Sequence, residues 1–105
     1  MYLPAHFDEN RPEVLHELMR DHPLGQLVTH GPDGLDANPL PFEFDASKGT
    51  QGSLLAHVAR ANPVWQQAAD QPVLVIFQAA QGYISPNWYP SKPEHHRHVP
   101  TWNYQ

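Results

Sequence analysis

Residues 57 to 64 read HVARANPV and bring three kinds of donor into one short stretch: the His57 imidazole, the Arg60 guanidinium and the Asn62 carboxamide. A guanidinium presents a planar fork of N–H groups that matches a phosphate or carboxylate. Asn followed by Pro is a helix-start pattern, with Asn62 as cap and Pro63 at the first position. A helix start leaves backbone N–H groups unpaired and carries a partial positive charge, so a phosphate placed there gains from both. Two readings follow. In one, Asn62 merely caps, Arg60 is solvated and His57 packs. In the other, the three surround an anion.

A second constellation lies near the end of the chain. Trp88, Tyr89 and Lys92 are followed by Thr101, Trp102, Asn103 and Tyr104. Aromatic rings in a polar stretch offer flat faces to a planar ligand, and Asn and Thr offer directional hydrogen bonds. The same residues would equally fill a core or a subunit interface. The run EHHRH, residues 94 to 98, invites a metal reading. Its histidines lack helical i,i+4 spacing and no Cys accompanies them, so a solvated loop is the simpler account. The nucleophile-elbow pattern GxSxG is absent, as is a Gly-rich phosphate loop.

These groups need elements to position them. Residues 8–22 predict one helix, capped by Asn10, with Pro12 in its first turn and Val14, Leu15, Leu18 and Met19 as its apolar stripe. From Leu24 the period changes. LGQLVTH, the turn GPDG and LDANPLPFEF predict a hairpin. Pro39 and Pro41 lack N–H donors on one side of their strand, which therefore lies at an edge or against something other than a strand. SLLAHVA is a third strand and residues 62–70 a short helix. PVLVIFQ is a fourth strand, apolar enough to be central. YISP and VPTWNYQ begin a fifth and a sixth. The expected class is β-rich α+β, built as a small antiparallel barrel.

Composition sets outer bounds. A chain of 105 residues is one domain, short enough that a partner subunit is expected to complete its core. Twelve prolines favour short strands and turns over long helices. With no cysteine, disulfides and thiolate chemistry are excluded. The first residues do not read as a signal peptide and no run is apolar enough to span a membrane, so a cytoplasmic location is expected. The net charge of −5, with six scattered cations, argues against direct nucleic-acid binding.

HVARANPVW, YISPNWYPSK and VPTWNY together resemble the PaiB-like family of FMN-binding split-barrel proteins, and MYLPAHF, LVTHGPDGLDANPLPF and PVLVIFQ fit the same pattern in the same order. The resemblance covers essentially the whole chain. It implies an antiparallel split β-barrel similar to pyridoxamine phosphate oxidase-like flavoproteins, a homodimer holding FMN, and a role in transcriptional regulation. An FMN-dependent oxidoreductase acting on a small substrate is the alternative it leaves open. By resemblance the flavin phosphate falls near His57, Val58, Ala59, Arg60 and Asn62. Asn38 stands where related barrels often carry a basic phosphate ligand, which leaves more of the task to Arg60. Trp88, Lys92, Thr101, Trp102 and Asn103 then belong to the ligand side or the dimer side. Family members look about twice this length, so residues 1–105 are expected to form a single, incomplete barrel domain.

Overall fold

A computed structural model describes residues 1–84 and 101–104. A 3-10 turn, Ala5–Phe7, precedes helix α1, Pro12–Asp21. Pro12 takes the first turn, where its missing N–H costs nothing. It also holds the preceding Arg11 in extended backbone, so the cap position falls on Arg11 rather than Asn10. The expected Asn10 cap is not formed. Asn10 donates to Asp8 Oδ2 at 2.9 Å, and Arg11 folds back on Glu9 through Nε–Oε1 at 2.6 Å and Nη2–Oε2 at 2.9 Å. The helix packs on the small sheet below, with the His16 ring 4.1 Å from that of Phe44.

Strands β1, Leu24–Gly31, and β2, Gly34–Pro41, form the expected hairpin. Gly31 pairs with Gly34, and Gly34 supplies the positive φ of +105° that a tight turn at Pro32-Asp33 requires. Phe42 N–H donates to the Pro23 carbonyl at 2.8 Å. Strand alternation then turns the N–H groups of residues 38 and 40 toward β1 as well, and leaves Pro39 and Pro41 facing outward. Accordingly β2 is an edge among the described residues, in the order β2-β1-β5.

The expected second strand breaks at Phe42, and β3, Glu43–Asp45, pairs instead with β4, Ser53–Leu55. The third strand was expected to run to Ala59 but ends at Leu55. Residues 56–59 lie outside any ladder. Helix α2 is also shorter than expected, Val64–Gln67, and the chain leaves it through Asp70 at φ 58°. Strand β5, Leu74–Phe77, the run expected to be central, pairs with β1 and with no other strand among the described residues. Its residues alternate half-buried and exposed. Strands β6, Gln81–Ile84, and β7, Thr101–Tyr104, form a third antiparallel pair. The architecture is β-rich and antiparallel, consistent with a split barrel whose sheets are not closed on one another.

Register divides the larger sheet into two faces. Gly25, Leu27, Thr29, Asn38, Leu40, Val75 and Phe77 share the inner one. Gly25 gives room for the rings of Phe42 and Phe77, which meet edge to face at 5.7 Å. Among the described residues, Val64 of α2, 2% exposed, is the buried apolar side chain. The outer face carries Leu24, Leu35, Leu74 and Ile76, which are 60%, 78%, 58% and 48% exposed. No helix among the described residues is long and apolar enough to cross a membrane.

Candidate functional site

The stretch 57–64 makes a tight turn. Asn62 N–H donates to the Ala59 carbonyl at 2.9 Å, so residues 59–62 reverse the chain and put Arg60 and Ala61 at the apex. Arg60 is exposed, and no carboxylate or other acceptor engages it among the described residues. His57 is exposed and Val58 half-buried. Pro63 is helical in conformation, and its carbonyl accepts from Gln66 and Gln67 at 3.0 Å each.

Asn62 was expected to cap the helix with Pro63 at its first position; the cap position falls on Pro63, and Asn62, one residue earlier, accepts the Val64 N–H on its Oδ1 at 3.0 Å. That bond uses one of the donors expected to be open to an anion. The Asn62 N–H is used within the turn, and a four-residue helix carries little dipole. Charge at the turn therefore comes from the Arg60 guanidinium rather than from the helix end.

The other half of the Asn62 carboxamide reaches across the sheet. Its Nδ2 donates to Asn38 Oδ1 at 3.0 Å, joining residues 24 apart in sequence. Both side chains are half-buried. Asn38 Nδ2 points to Asp36 Oδ2 at 3.4 Å, and Asp36 Oδ1 accepts the Ala37 N–H at 3.0 Å. Asp36 was not singled out from the sequence. Its signal was the i,i+2 spacing to Asn38, which puts both on one strand face.

Beside His57 lies a recess of about 370 Å³, lined also by Pro41, Phe42, Glu43, Leu55 and Ala56. Its size suits a small organic ligand. Glu43 gives it a carboxylate, so an anionic phosphate is better matched to the Arg60 turn than to the recess floor. Trp88, Lys92 and the 94–98 histidines lie outside the described residues. Thr101, Trp102 and Asn103 lie on β7, opposite Ile84, Tyr83 and Gly82. Among the described residues no group of three or more His, Asp or Glu side chains is placed to hold a metal.

An exposed guanidinium at the apex of a turn, with an imidazole three residues before it, suits a phosphate monoester such as that of FMN, whose isoalloxazine ring supplies redox chemistry when bound. The chain is 34% identical to the uncharacterized protein YKL070W of Saccharomyces cerevisiae, over 99% of this chain and 72% of that protein. It is also 34% identical to "Protease synthase and sporulation protein PAI 2" of Bacillus subtilis, over 100% of this chain and 48% of the relative. The uncharacterized protein AN0679 of Emericella nidulans is 33% identical, over 99% of this chain and 52% of its own length. The chain thus spans about half the length of the last two. The family model described as "Putative FMN-binding domain" matches residues 1–105 from end to end, and the chain belongs to that PaiB-like family of FMN-binding proteins.

Proposed function

We propose that the chain holds FMN by its phosphate at the Ala59–Asn62 turn, with Arg60 as the principal ligand, and that it serves a regulatory role as a homodimer. The observation that carries the phosphate assignment is the exposed Arg60 guanidinium, unengaged by any carboxylate among the described residues, at the apex of the turn. His57 and the backbone at Val58, Ala59 and Asn62 border the same group. Asn38 belongs to the site through Asn62. Trp88, Lys92, Thr101, Trp102 and Asn103 are assigned to the flavin-ring or dimer side.

The regulatory role is supported by the name of the Bacillus relative, which refers to protease synthesis and sporulation. With a net charge of −5, regulation acts through a protein partner rather than through a direct grip on nucleic acid. The dimer is supported by the outer sheet face, where Leu24, Leu35, Leu74 and Ile76 leave apolar surface for a second copy to cover.

Titration of FMN and riboflavin into the wild type and Arg60→Ala tests the phosphate assignment. The variant loses roughly ten- to a hundredfold in FMN affinity, the value of one charge-assisted contact, while riboflavin affinity stays put. Equal FMN affinity in both proteins removes Arg60 from the site.

A further inference from the structure

We propose that Asn38 is a positioning residue: it clamps the Arg60 turn to strand β2 through Asn62 and does not itself bind the flavin phosphate. This rests on the phosphate assignment made above.

Three hydrogen bonds run in one direction. Val64 N–H donates to Asn62 Oδ1, Asn62 Nδ2 donates to Asn38 Oδ1, and Asn38 Nδ2 faces Asp36 Oδ2. The two ends fix both amide orientations. A backbone N–H can only donate, so Asn62 must turn its oxygen toward Val64 and its nitrogen toward Asn38. An ionised carboxylate can only accept, so Asn38 must turn its nitrogen toward Asp36 and its oxygen toward Asn62. A flip of either amide would set like groups against each other at both of its contacts.

The aligned chain has consequences for the site. Asn38 directs its oxygen at Asn62 and its nitrogen at a carboxylate, and neither arrangement favours a phosphate on Asn38. The link also spans two otherwise separate pieces of backbone. Asn38 sits in the β1–β2 ladder opposite Leu27, whereas residues 56–62 belong to no ladder. Among the described side chains, the Asn38–Asn62 bond is the polar tie between that turn and the sheet. Arg60 lies two residues from Asn62, so the geometry of its guanidinium depends on that tie. A ligand at a turn left loose would have to order it on binding, which weakens affinity.

The experiment is a double-mutant cycle read by FMN and riboflavin titration, with thermal unfolding of each flavin-free variant. Asn38→Ala removes the acceptor. Asn62→Ser keeps an oxygen for the Val64 N–H but is too short to reach Asn38. Each single variant is expected to weaken FMN binding by about three- to tenfold, the range of one neutral hydrogen bond, and to leave riboflavin binding unchanged. The double variant is expected to lose no more than either single one, because both break the same bond. Arg60→Ala made in the Asn38→Ala background costs less than it does in the wild type.

Additive losses in the cycle overturn the clamp and make Asn38 an independent ligand. Unchanged FMN affinity in Asn38→Ala overturns it, and so does an equal loss for riboflavin, which would mark general loosening. If Arg60→Ala alone leaves FMN affinity intact, the phosphate assignment fails and takes the clamp with it. A normal Arg60 effect with additive asparagines sinks the clamp alone.

Discussion

Gly52 lies against the ring of Phe44, so close that a Cβ at position 52 would stand 2.6 Å from Phe44 Cε2 and 3.2 Å from the Asp45 carbonyl oxygen. Its φ of +90° is one that side chains other than hydrogen rarely adopt. The Phe44 ring also meets the His16 ring of α1, at 4.1 Å between centroids. Gly52→Ala therefore meets both a steric and a backbone penalty. It is expected to destabilise the fold by about 1–3 kcal/mol, read as a lower midpoint in urea or heat. An unchanged midpoint would mean that Phe44 can swing clear.

A second glycine tests the larger sheet. A Cβ at Gly25 would stand 3.0 Å from Phe42 Cδ2 and 3.1 Å from Phe77 Cε1, with φ unstrained. Gly25→Ala has to push apart two rings that meet edge to face, at a cost of about 1–3 kcal/mol. Phe42→Leu should recover part of that loss, and thermal melts of the two single variants and the double variant check it.

The Glu9 carboxyl is held down from 4.5 to about 2, first by its side-chain bond to Arg11 and then by the Arg11 backbone N–H. A carboxyl depressed on folding contributes stability above its unfolded value that is lost as pH falls through the folded one. The Glu9 contribution is therefore complete above about pH 5 and disappears between about pH 4.5 and 2. The pair lies at the surface, with 68% of the Arg11 side chain and 37% of the Glu9 side chain exposed, so the effect on stability is small and sensitive to salt. Carboxyl-carbon NMR should place the Glu9 midpoint near 2 in the wild type and return it toward 4.5 in Arg11→Ala.

The outer face of the sheet gives the test of the homodimer. Leu74 is 58% exposed there, on the β5 edge. Leu74→Glu introduces a charge that a second copy would have to bury unpaired, which is strongly unfavourable. Light scattering after size exclusion should show a dimer for the wild type and a monomer for the variant. A wild-type monomer would contradict the homodimer, and a variant that remains dimeric would place the contact elsewhere.

Local chemistry written in neighbouring residues was the legible part of this fold. The amphipathic stripe of α1, the Gly31-to-Gly34 turn and the edge implied by Pro39 and Pro41 all follow from residues close in sequence. Long-range pairing was not legible. The apolar run VLVIF looks the same whether both faces are covered or one face is left exposed, and periodicity alone does not say which strands lie beside it. LLAHVA has strand composition, yet β3 offers only three residues to pair with it, and the ladder ends at Leu55. At the site, Asn62 announced its bond to Val64 through the Asn-Pro pair. The bond to Asn38 had no sequence signal, because only register and the crossing of the chain bring those residues together.

The phosphate assignment is tested most directly by calorimetric titration of the wild-type protein with FMN and, separately, with riboflavin, followed by visible absorbance. The two ligands differ only in the phosphoryl group that Arg60 is held to bind. FMN should bind with an altered flavin spectrum, and riboflavin should bind at least tenfold more weakly. Equal affinities, or failure to take up FMN at all, would contradict the account.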